Sequence, residues 1–411
     1  MMRAEAVFID DLPELDPVIA HETTALGWRG LTEHGEVLEV TGINGKPIAV
    51  PPSIMVCQDG KPIGRREIMN GLNLRIDDYL AHFNRAVTLY RANRCEDALV
   101  EASAAVALAP TARARCNRAL ILLSNGHWQE GFEEFAQCER AAPFQRPQSR
   151  QAIEAGLQPW RGENIKGKRV LLLHDHGFGD SIMTLRYVPV LEAMGADVMM
   201  MMPPELMRLA VQVGTVTANS LRVIDADFFC SMLWLPHMIG TKCSREIVGN
   251  LPLVIDRNLV ARRRSMLDRF DCKRIGIAWS VGQHHDSDYP RAIPLEQIVD
   301  ALDFEAELYS VQTQGADEAR ALGVHVTEFE DFADCAALMS LMDEIVTVDT
   351  AAVHLAGAIE HPRVTLLLSH WSSWRWLAHW YPTVKLCRQS TPGDWASALA
   401  QIDHDHGADC R

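Results

Sequence analysis

Short apolar runs alternate with helical patterns through the second half of this chain of 411 residues. Residues 170–173 form one continuous apolar run, as in a strand buried on both faces of a sheet, and residues 196–202 form another. Between them, residues 181–194 carry apolar side chains at helical spacing and end at Gly195, a typical residue after a helix C-terminus. A strand, a helix and a strand in this order predict a parallel sheet.

A second series of the same kind begins near Arg274. The same signals predict strands at 275–279, 307–312, 344–348 and 364–368, with helices between them that include 331–342 and 351–359. Two α/β units in tandem, each of about 100 residues or more, predict two lobes with a cleft between them. Ligands of open parallel sheets bind beyond the carboxyl ends of the strands, so the residues that follow each strand are the candidates for function.

The first third of the chain has different patterns. Residues 1–76 place the turn pairs Asn44-Gly45 and Asp59-Gly60 between apolar stretches, which predicts a small β-rich module. Residues 77–145 are rich in alanine and have helical spacing, and a polar linker at 144–158 follows them. We therefore expect four parts: residues 1–76, 77–145, an N-terminal Rossmann-like lobe at 146–262 and a C-terminal Rossmann-like lobe at 263–411.

The helical segment contains a repeat. Its second unit follows the first by 33 residues: Asn84, Arg85 and Ala86 recur as Asn117, Arg118 and Ala119, Ala98 recurs as Gly131, and Pro110 recurs as Pro143. This period is close to the 34 residues of the tetratricopeptide repeat, which the segment resembles. A plain helical bundle is the alternative.

Composition excludes several classes of protein. Lysine and arginine number 39 against 54 aspartates and glutamates, and the net charge of −15 disfavours nonspecific binding to nucleic acid. No apolar run approaches about 18 residues, so we expect no transmembrane segment. The ten cysteines include no CxxC pair, which argues against a zinc site and favours a reducing, cytoplasmic compartment with most cysteines as small core residues.

The segment HDHGFGD, residues 174–180, directly follows the predicted strand at 170–173. Gly177 and Gly179 allow a tight turn and the close approach of a ligand to the backbone. We expect Asp180 at the start of the next helix, where the helix dipole favours an ionised carboxylate that can accept a proton from a hydroxyl group. The alternative is an aspartate that only starts the helix.

The segment VDTAAVHLAG, residues 348–357, is a stronger candidate. Small residues at the predicted helix start, from Ala351 on, leave backbone N–H groups uncovered, which suits a diphosphate. Thr350 adds a hydroxyl group, Asp349 could bind sugar hydroxyls, and His354 lies one turn after Thr350 and could face the same ligand. A capped helix with a buried histidine is the alternative.

Two further features are weaker. Arg291 ends a polar loop after a predicted strand and could neutralise phosphate charge, unless it is a solvated loop residue. His284-His285-Asp286 in the same loop is poor evidence for a metal site, and we expect none. Four tryptophans, Trp371, Trp374, Trp376 and Trp380, are expected to pack between elements more than to stack on a ligand.

The order of several phrases resembles the glycosyltransferase domain of bacterial tetratricopeptide-repeat glycosyltransferases. The phrases are PWRGE, KGKRVLL and HDHGFGDSIMTLRYVPVL, then RIGIAWSVG, PRAIPLEQ, DFADCAALMSLMDEIVTVDTAAVHLAGAI, WRWL, and WYPTVKLCRQ with GDW. That family is related to the heptosyltransferases of glycosyltransferase family 9 and is more distantly similar to O-GlcNAc transferase. The resemblance covers about residues 80–400, and residues 1–76 lie outside it.

The resemblance implies a fold and a reaction. It implies an α/β protein of GT-B type, whose N-terminal lobe faces the acceptor and whose C-terminal lobe holds the donor. It implies a hexosyl or heptosyl transfer from a nucleotide-sugar to a hydroxyl group, with no metal or other cofactor. The acceptor would be a protein or glycan, presented by the TPR-like helices.

The resemblance also implies roles for individual residues. Asp180 matches the general base, and His174, Gly177 and Gly179 lie in the acceptor cleft. The donor-binding set comprises Asp349, Thr350, Ala351 and His354 of the D-T-x-x-x-H motif, together with Arg291 near the phosphates and Gln312 near the nucleotide. The chain departs from the family at Asp175-His176 and at residues 284–289.

Two other functions compete with sugar transfer. A non-hydrolysing nucleotide-sugar epimerase also uses two such lobes, and it forms its product without an acceptor. A binding protein with a degenerate transferase domain would bind nucleotide without turnover, or would bind none.

Overall fold

The structure is a computed structural model. It describes residues 2–4, 14–24, 27–32, 37–41, 53–58, 61–68, 76–141, 147–217, 225–250, 253–267, 272–281, 291–302, 305–371, 373–378 and 380–403. The chain separates into two compact units, Met1–Gln145 and Arg146–Arg411, and each is described by itself. The finer division into four parts stays a prediction.

The first unit begins with a six-stranded sheet. Its strands are β1 (Met2–Ala4), β2 (Glu14–Thr24), β3 (Gly27–Thr32), β4 (Val37–Thr41), β5 (Ser53–Gln58) and β6 (Lys61–Ile68), in the order β1-β4-β3-β2-β6-β5. Strands β5 and β6 pair antiparallel with Gln58 opposite Lys61, as expected for strands on either side of a hairpin turn. The predicted turn pairs Asn44-Gly45 and Asp59-Gly60 themselves lie outside the described residues.

Helices form the rest of the described first unit: α1 (Ile76–Arg91), α2 (Cys95–Leu108), α3 (Ala112–Ser124) and α4 (Trp128–Ala141). Hydrogen bonds join the two halves of the repeat, between the Tyr79 hydroxyl and Thr111 Oγ1 at 3.0 Å and between the Tyr90 hydroxyl and Ser124 Oγ at 2.8 Å. A Cβ atom on Gly131 would lie 2.7 Å from Leu123 Cγ, so this small residue lets α3 and α4 approach closely. Membership of the tetratricopeptide class stays a prediction.

One cysteine pair differs from the expectation that the cysteines are reduced core residues. Helices α3 and α4 bring the Cα atoms of Cys116 and Cys138 to 5.8 Å, and the two sulfur atoms form a disulfide. Spacing in the sequence could not reveal this pair, because the two cysteines meet only through helix packing. Cys230, Cys335 and Cys387 are buried, as expected of core cysteines.

The second unit contains two lobes, each built on a five-stranded parallel sheet. The strands of the first lobe are β7 (Gln158–Pro159), β8 (Arg169–Leu173), β9 (Asp197–Met201), β10 (Thr215–Thr217) and β11 (Phe228–Ser231), in the order β10-β9-β8-β11-β7. Its described α-helices are α5 (Pro147–Glu154), α6 (Phe178–Thr184), α7 (Val188–Ala193), α8 (Pro204–Ala210) and α9 (Leu235–Met238). Helix α5 lies within the predicted polar linker, and it is anchored by the buried residues Ser149 and Ala152.

The predicted helix at 181–194 is wrong as a single element. It is divided into α6, a 3-10 turn at Leu185–Tyr187 and α7. Pro189 lies in the first turn of α7 and has no backbone N–H to continue the preceding helix. Gly195 follows α7 with a φ of +90°, as predicted for the residue after a helix.

The second lobe has the strands β12 (Arg274–Ala278), β13 (Glu307–Ser310), β14 (Glu344–Val348), β15 (Val364–Leu368) and β16 (Val384–Arg388). Its helices are α10 (Arg257–Arg264), α11 (Leu295–Ala301), α12 (Ala316–Ala321), α13 (Phe332–Met339), α14 (Ala351–Ala358) and α15 (Trp395–Leu399). In the order β13-β12-β14-β15-β16, the chain continues from β12 to β13 on one side of β12 and then to β14 on its other side. Ligands are expected at such a change of direction, in the crevice beyond the carboxyl ends of β12 and β14. The predicted boundary at 262/263 falls inside α10.

The predicted α/β class with two Rossmann-like lobes is confirmed. All five residues of β14 and all five of β15 are buried, which explains why their sequences are continuous apolar runs rather than alternating ones. Within the described residues, no helix has the length and apolar character needed to span a membrane.

Candidate functional site

The two lobes meet where α6 and α14 begin. Each helix directly follows a central strand, β8 in the first lobe and β14 in the second, so both start at the carboxyl edge of a sheet. A Cβ atom on Gly179 would lie 2.6 Å from His354 Cδ2 and 3.4 Å from the Cα atom of Ala351. Only glycine fits here, and its close approach places Asp180 beside the start of α14.

We expect Gly179→Ala to weaken this contact between the lobes. The added methyl group would overlap the buried His354 ring, and overpacking of this kind costs about 1–3 kcal/mol of unfolding free energy. Urea unfolding measures the loss, and Gly249→Ala is the matched control because a Cβ atom there meets nothing within 4 Å. Equal stability of the two variants would contradict the contact.

Asp180 forms an ion pair that spans the lobes. Its Oδ1 atom accepts a hydrogen bond from Arg375 Nε at 2.7 Å and lies 2.5 Å from Arg375 Nη2. Its Oδ2 atom accepts a hydrogen bond from the backbone N–H of Gly177 at 3.3 Å, in the first turn of α6. The carboxylate therefore stabilises the first turn of α6, although Gly177 and not Asp180 is the N-cap residue, and it also binds the opposite lobe.

The charge state of Asp180 follows from its neighbours. Burial is the largest single effect and acts to raise the pKa of this carboxyl group, but Arg375, His176 and His354 together outweigh it, with Arg375 first among them. The net effect holds the pKa of Asp180 below its usual value. Asp180 is therefore ionised at neutral pH, as a proton acceptor must be.

Asp349, Thr350 and Ala351 of the predicted donor-binding set lie at the start of α14, and Arg291 contacts Asp349 there. Thr350 Oγ1 accepts a hydrogen bond from the backbone N–H of Ala352 at 3.3 Å, which caps the helix. Arg291 Nη1 donates to the backbone oxygen of Asp349 at 3.0 Å and lies 3.6 Å from Asp349 Oδ2. Thr350 and Ala351 are half-buried, so the helix start is partly open to solvent.

His354 is buried, as the alternative interpretation held. Its ring is buried, it stacks on Trp376 with 5.1 Å between ring centroids, and its Nδ1 atom lies 3.2 Å from the Tyr381 hydroxyl. Burial is the main cause that lowers the pKa of His354 to about 4, so the ring is neutral at pH 7. The structure places the ring in the contact between the lobes, against Gly179, and that His354 faces the same ligand as Thr350 stays a prediction.

Gln312 supports the backbone of its own lobe. Its Oε1 atom accepts hydrogen bonds from the backbone N–H groups of Trp279 at 2.8 Å and Ser280 at 3.0 Å, and its Nε2 atom donates to Ser280 Oγ at 2.7 Å. These contacts hold the segment that follows β12, at the expected crevice. The predicted features at 284–289 lie outside the described residues.

His174 supports the start of α6 in the first lobe. Its Nδ1 atom lies 2.7 Å from Ser181 Oγ, and its ring stacks on Phe178 with 5.5 Å between centroids. Burial is the main cause that lowers the pKa of His174. Of the three predicted cleft residues, Gly177 and Gly179 thus lie in the same turn as Asp180, and His174 packs against that turn.

Sequence reasoning missed two arginines that join the lobes. Arg375 lies between Trp374 and Trp376, both buried, and a charged residue inside an apolar segment is the signal that it has a buried partner. Arg186 is itself buried; its Nη1 atom donates to the backbone oxygen of Trp380 at 2.8 Å, and its guanidinium lies 4.9 Å from the Tyr381 ring centroid.

The tryptophans pack in the core, as predicted. Trp374, Trp376 and Trp380 are buried, and the rings of Trp374 and Trp380 meet edge to face with 6.2 Å between centroids. The indole N–H groups of Trp376 and Trp380 are buried with no acceptor among the residues that the structure describes. This cluster includes the two neighbours of Arg375, and its contacts with α6 and α14 run through the Arg375–Asp180 pair and the stacking of Trp376 on His354.

Comparison with known proteins gives distant likenesses. No protein-family model matches the chain. The chain is similar to Protein FlbA of Caulobacter vibrioides, with 24% identity over 436 residues that cover 94% of this chain and 72% of that protein.

Two solved structures are also similar to the chain. The E. coli ADP-heptose LPS heptosyltransferase II has a TM-score of 0.43 and 12% identity, covering 56% of this chain and 96% of its own. An O-GlcNAc transferase mutant from Thermobaculum terrenum has a TM-score of 0.28 and 11% identity, covering 78% of this chain and 76% of its own.

Proposed function

We propose that the protein transfers a hexosyl or heptosyl group from a nucleotide-sugar to a hydroxyl group of an acceptor. The observation that carries this proposal is the junction of two helix starts at the carboxyl edges of two parallel sheets. Gly179 contacts Ala351 and His354 there, so an ionised carboxylate lies beside an anion-binding helix start. This pairing suits a reaction in which a proton is accepted as a phosphate leaves.

The donor diphosphate would bind at the start of α14. The first backbone N–H groups of a helix have no partner within the helix, and the helix dipole favours negative charge at that end. The Thr350 hydroxyl lies at this end, and Arg291 is held against Asp349 in the preceding turn. A guanidinium and a row of N–H groups would together bind the phosphate oxygens.

Asp180 would act as the general base. The acceptor oxygen forms a bond to the anomeric carbon while the bond from that carbon to the phosphate oxygen breaks, and the acceptor proton moves to Asp180. Negative charge develops on the leaving phosphate, where Arg291 and the helix start stabilise it. In this proposal the fixed positive groups supply what a metal ion would otherwise supply, so transfer should continue in EDTA.

The acceptor and the compartment are further parts of the proposal. The acceptor is a protein or glycan, presented by α1 to α4 in the way that helical repeats present concave surfaces. The cytoplasmic location that the cysteine content favoured stays a prediction. The Cys116–Cys138 disulfide speaks against it, because such bonds are rare in reducing compartments.

A thermal-shift screen against UDP-, GDP-, ADP- and dTDP-sugars tests the donor class. A ligand at 100 times its Kd stabilises the folded state by about 2.7 kcal/mol, so we expect a clear rise in Tm with one nucleotide. No shift with any of the four would contradict the proposal. Release of nucleoside diphosphate only when acceptor is added indicates transfer, conversion without acceptor indicates an epimerase, and binding without turnover indicates a binding protein.

We expect Arg291→Gln to weaken binding of the selected nucleoside diphosphate. Hydrogen bonds to charged groups contribute about 1.5–3 kcal/mol, which corresponds to roughly a 10- to 100-fold higher Kd. Isothermal titration calorimetry measures the change. Arg320→Gln is the control, because Arg320 lies in the same lobe in an exposed pair with Asp317. An unchanged Kd for Arg291→Gln would remove this residue from the phosphate site.

A further inference from the structure

We propose that Arg375 exchanges its partner during the reaction: it binds Asp180 in the empty protein and a donor phosphate in the complex. Donor binding would thereby free the Asp180 carboxylate to accept a proton. The inference rests on the proposed function and deepens it, because it names a second phosphate-binding arginine and couples it to the base.

The guanidinium is held in place from several sides. Besides the two contacts with Asp180, Arg375 Nη1 donates to Ser373 Oγ at 3.0 Å, and the guanidinium lies 4.7 Å from the Trp374 ring centroid. The Arg375 side chain nevertheless keeps 21% of its surface exposed, and that of Asp180 keeps 16%. The ion pair is therefore partly open to solvent.

The pair lies at the place proposed for the diphosphate. Asp180 directly follows Gly179, whose backbone contacts Ala351 at the start of α14. Burial is the main cause of the low pKa of His354. Asp180 acts to raise this pKa and Arg375 acts to lower it, so both charges lie near the first turn of α14. Arginine binds two oxygens of a phosphate group at once, with a planar geometry that also suits a carboxylate.

The exchange would make Asp180 a stronger base. A carboxylate that shares its proton-accepting oxygen with a guanidinium is a poor base, because protonation would break the ion pair. A diphosphate carries more negative charge than one carboxylate and so competes well for Arg375. Once Arg375 turns to the phosphate, Asp180 becomes a stronger base at the moment when a donor is present.

Competition predicts opposite effects for the two partners. In calorimetry of the full chain with UDP, GDP, ADP and dTDP, Asp180→Asn should tighten binding of the preferred diphosphate about 10-fold, because the competitor for Arg375 is lost. Arg375→Gln should weaken binding about 10- to 100-fold. The double variant should bind like Arg375→Gln alone, since without the guanidinium the loss of Asp180 brings no gain.

Controls separate this from a structural effect. Arg375→Lys keeps the charge and should recover part of the affinity that Arg375→Gln loses. Asp197→Asn removes one negative charge from the same lobe, at the exposed pair with Arg169, and should leave binding unchanged. If Arg375→Gln fails to fold, Asp180→Asn and Arg375→Lys still decide the matter.

Three outcomes are decisive. Tighter binding by Asp180→Asn that disappears in the double variant supports the exchange. Weaker or unchanged binding by Asp180→Asn overturns the exchange. The proposed function survives that result if the wild-type chain binds a diphosphate and Arg291→Gln weakens this binding. A wild-type chain that binds none of the four diphosphates overturns the proposed function together with the exchange.

Discussion

Asp180→Asn is expected to abolish sugar transfer while the protein still binds its donor. Asparagine has nearly the same shape, but it carries no charge, so it holds Arg375 less strongly than the carboxylate does, and it cannot accept a proton from the acceptor. Loss of a general base lowers rates by about 10²–10⁴-fold. The defect should therefore lie in kcat, and donor binding should not be weakened.

The measurement is nucleoside diphosphate released from the donor selected by the binding screen, with and without a panel of peptide and glycan acceptors. Asp197→Asn is the matched control in the same lobe and should transfer at the wild-type rate. Melting curves of both variants show whether the fold is kept. Full activity of Asp180→Asn would remove this residue from the role of base and would leave its carboxylate with a purely structural function.

The largest effect on stability is expected from Asp334→Asn in α13. Asp334 is completely buried and is paired with two arginines: its Oδ1 atom lies 2.7 Å from Arg263 Nε and 2.9 Å from Arg262 Nη2. Arg263 is buried as well, so removing the carboxylate charge leaves a cation without compensation. Breaking a buried pair in this way costs about 3–5 kcal/mol of unfolding free energy.

The pH dependence follows from the pKa of Asp334. Burial acts to raise this pKa, but the combined effect of hydrogen bonds from Arg263, from the Glu330 backbone and from Arg262 is larger and lowers the pKa to about 2. A carboxyl group whose pKa is lower in the folded state stabilises the fold above its unfolded pKa of about 3.9. That contribution is lost as the pH falls from about 4 towards 2.

Urea unfolding at pH 7 and pH 3 measures both effects. The wild-type protein should lose more stability between these two values than Asp334→Asn does. Asp317→Asn is the control, because Asp317 is fully exposed beside Arg320 and exposed pairs contribute about 0–1 kcal/mol. A loss below about 1 kcal/mol for Asp334→Asn at pH 7 would show that the arginines find other partners.

The strands of the second lobe show what local pattern can predict. The predicted strands at 344–348 and 364–368 agree with β14 and β15 residue by residue, because strands buried on both faces are unbroken apolar runs. The predicted helix at 181–194 failed because helical spacing of apolar residues continues across Pro189, where the backbone cannot. The spacing of apolar residues indicates which side chains are buried, but it is less informative about the residue at which the backbone hydrogen bonding of a helix is interrupted.

The candidate site divides in the same way. Asp180, Asp349 and Thr350 could be located from the sequence, since each follows a strand and opens a helix, and that arrangement is local. The environment of His354 could not, because its partners Gly179, Trp376 and Tyr381 come from separate parts of the chain. A spacing of three to four residues shows which side chains share a helix face, but it cannot show which residues from other parts of the chain will contact that face.

The amino-acid order alone determined two parallel α/β lobes and the helix starts at 180 and 350, because burial and capping act between near neighbours. Only the tertiary structure decided that Asp180 binds Arg375, 195 residues further along the chain. Ion pairing depends on distance in space, and that distance is set by a glycine contact between helices of different lobes.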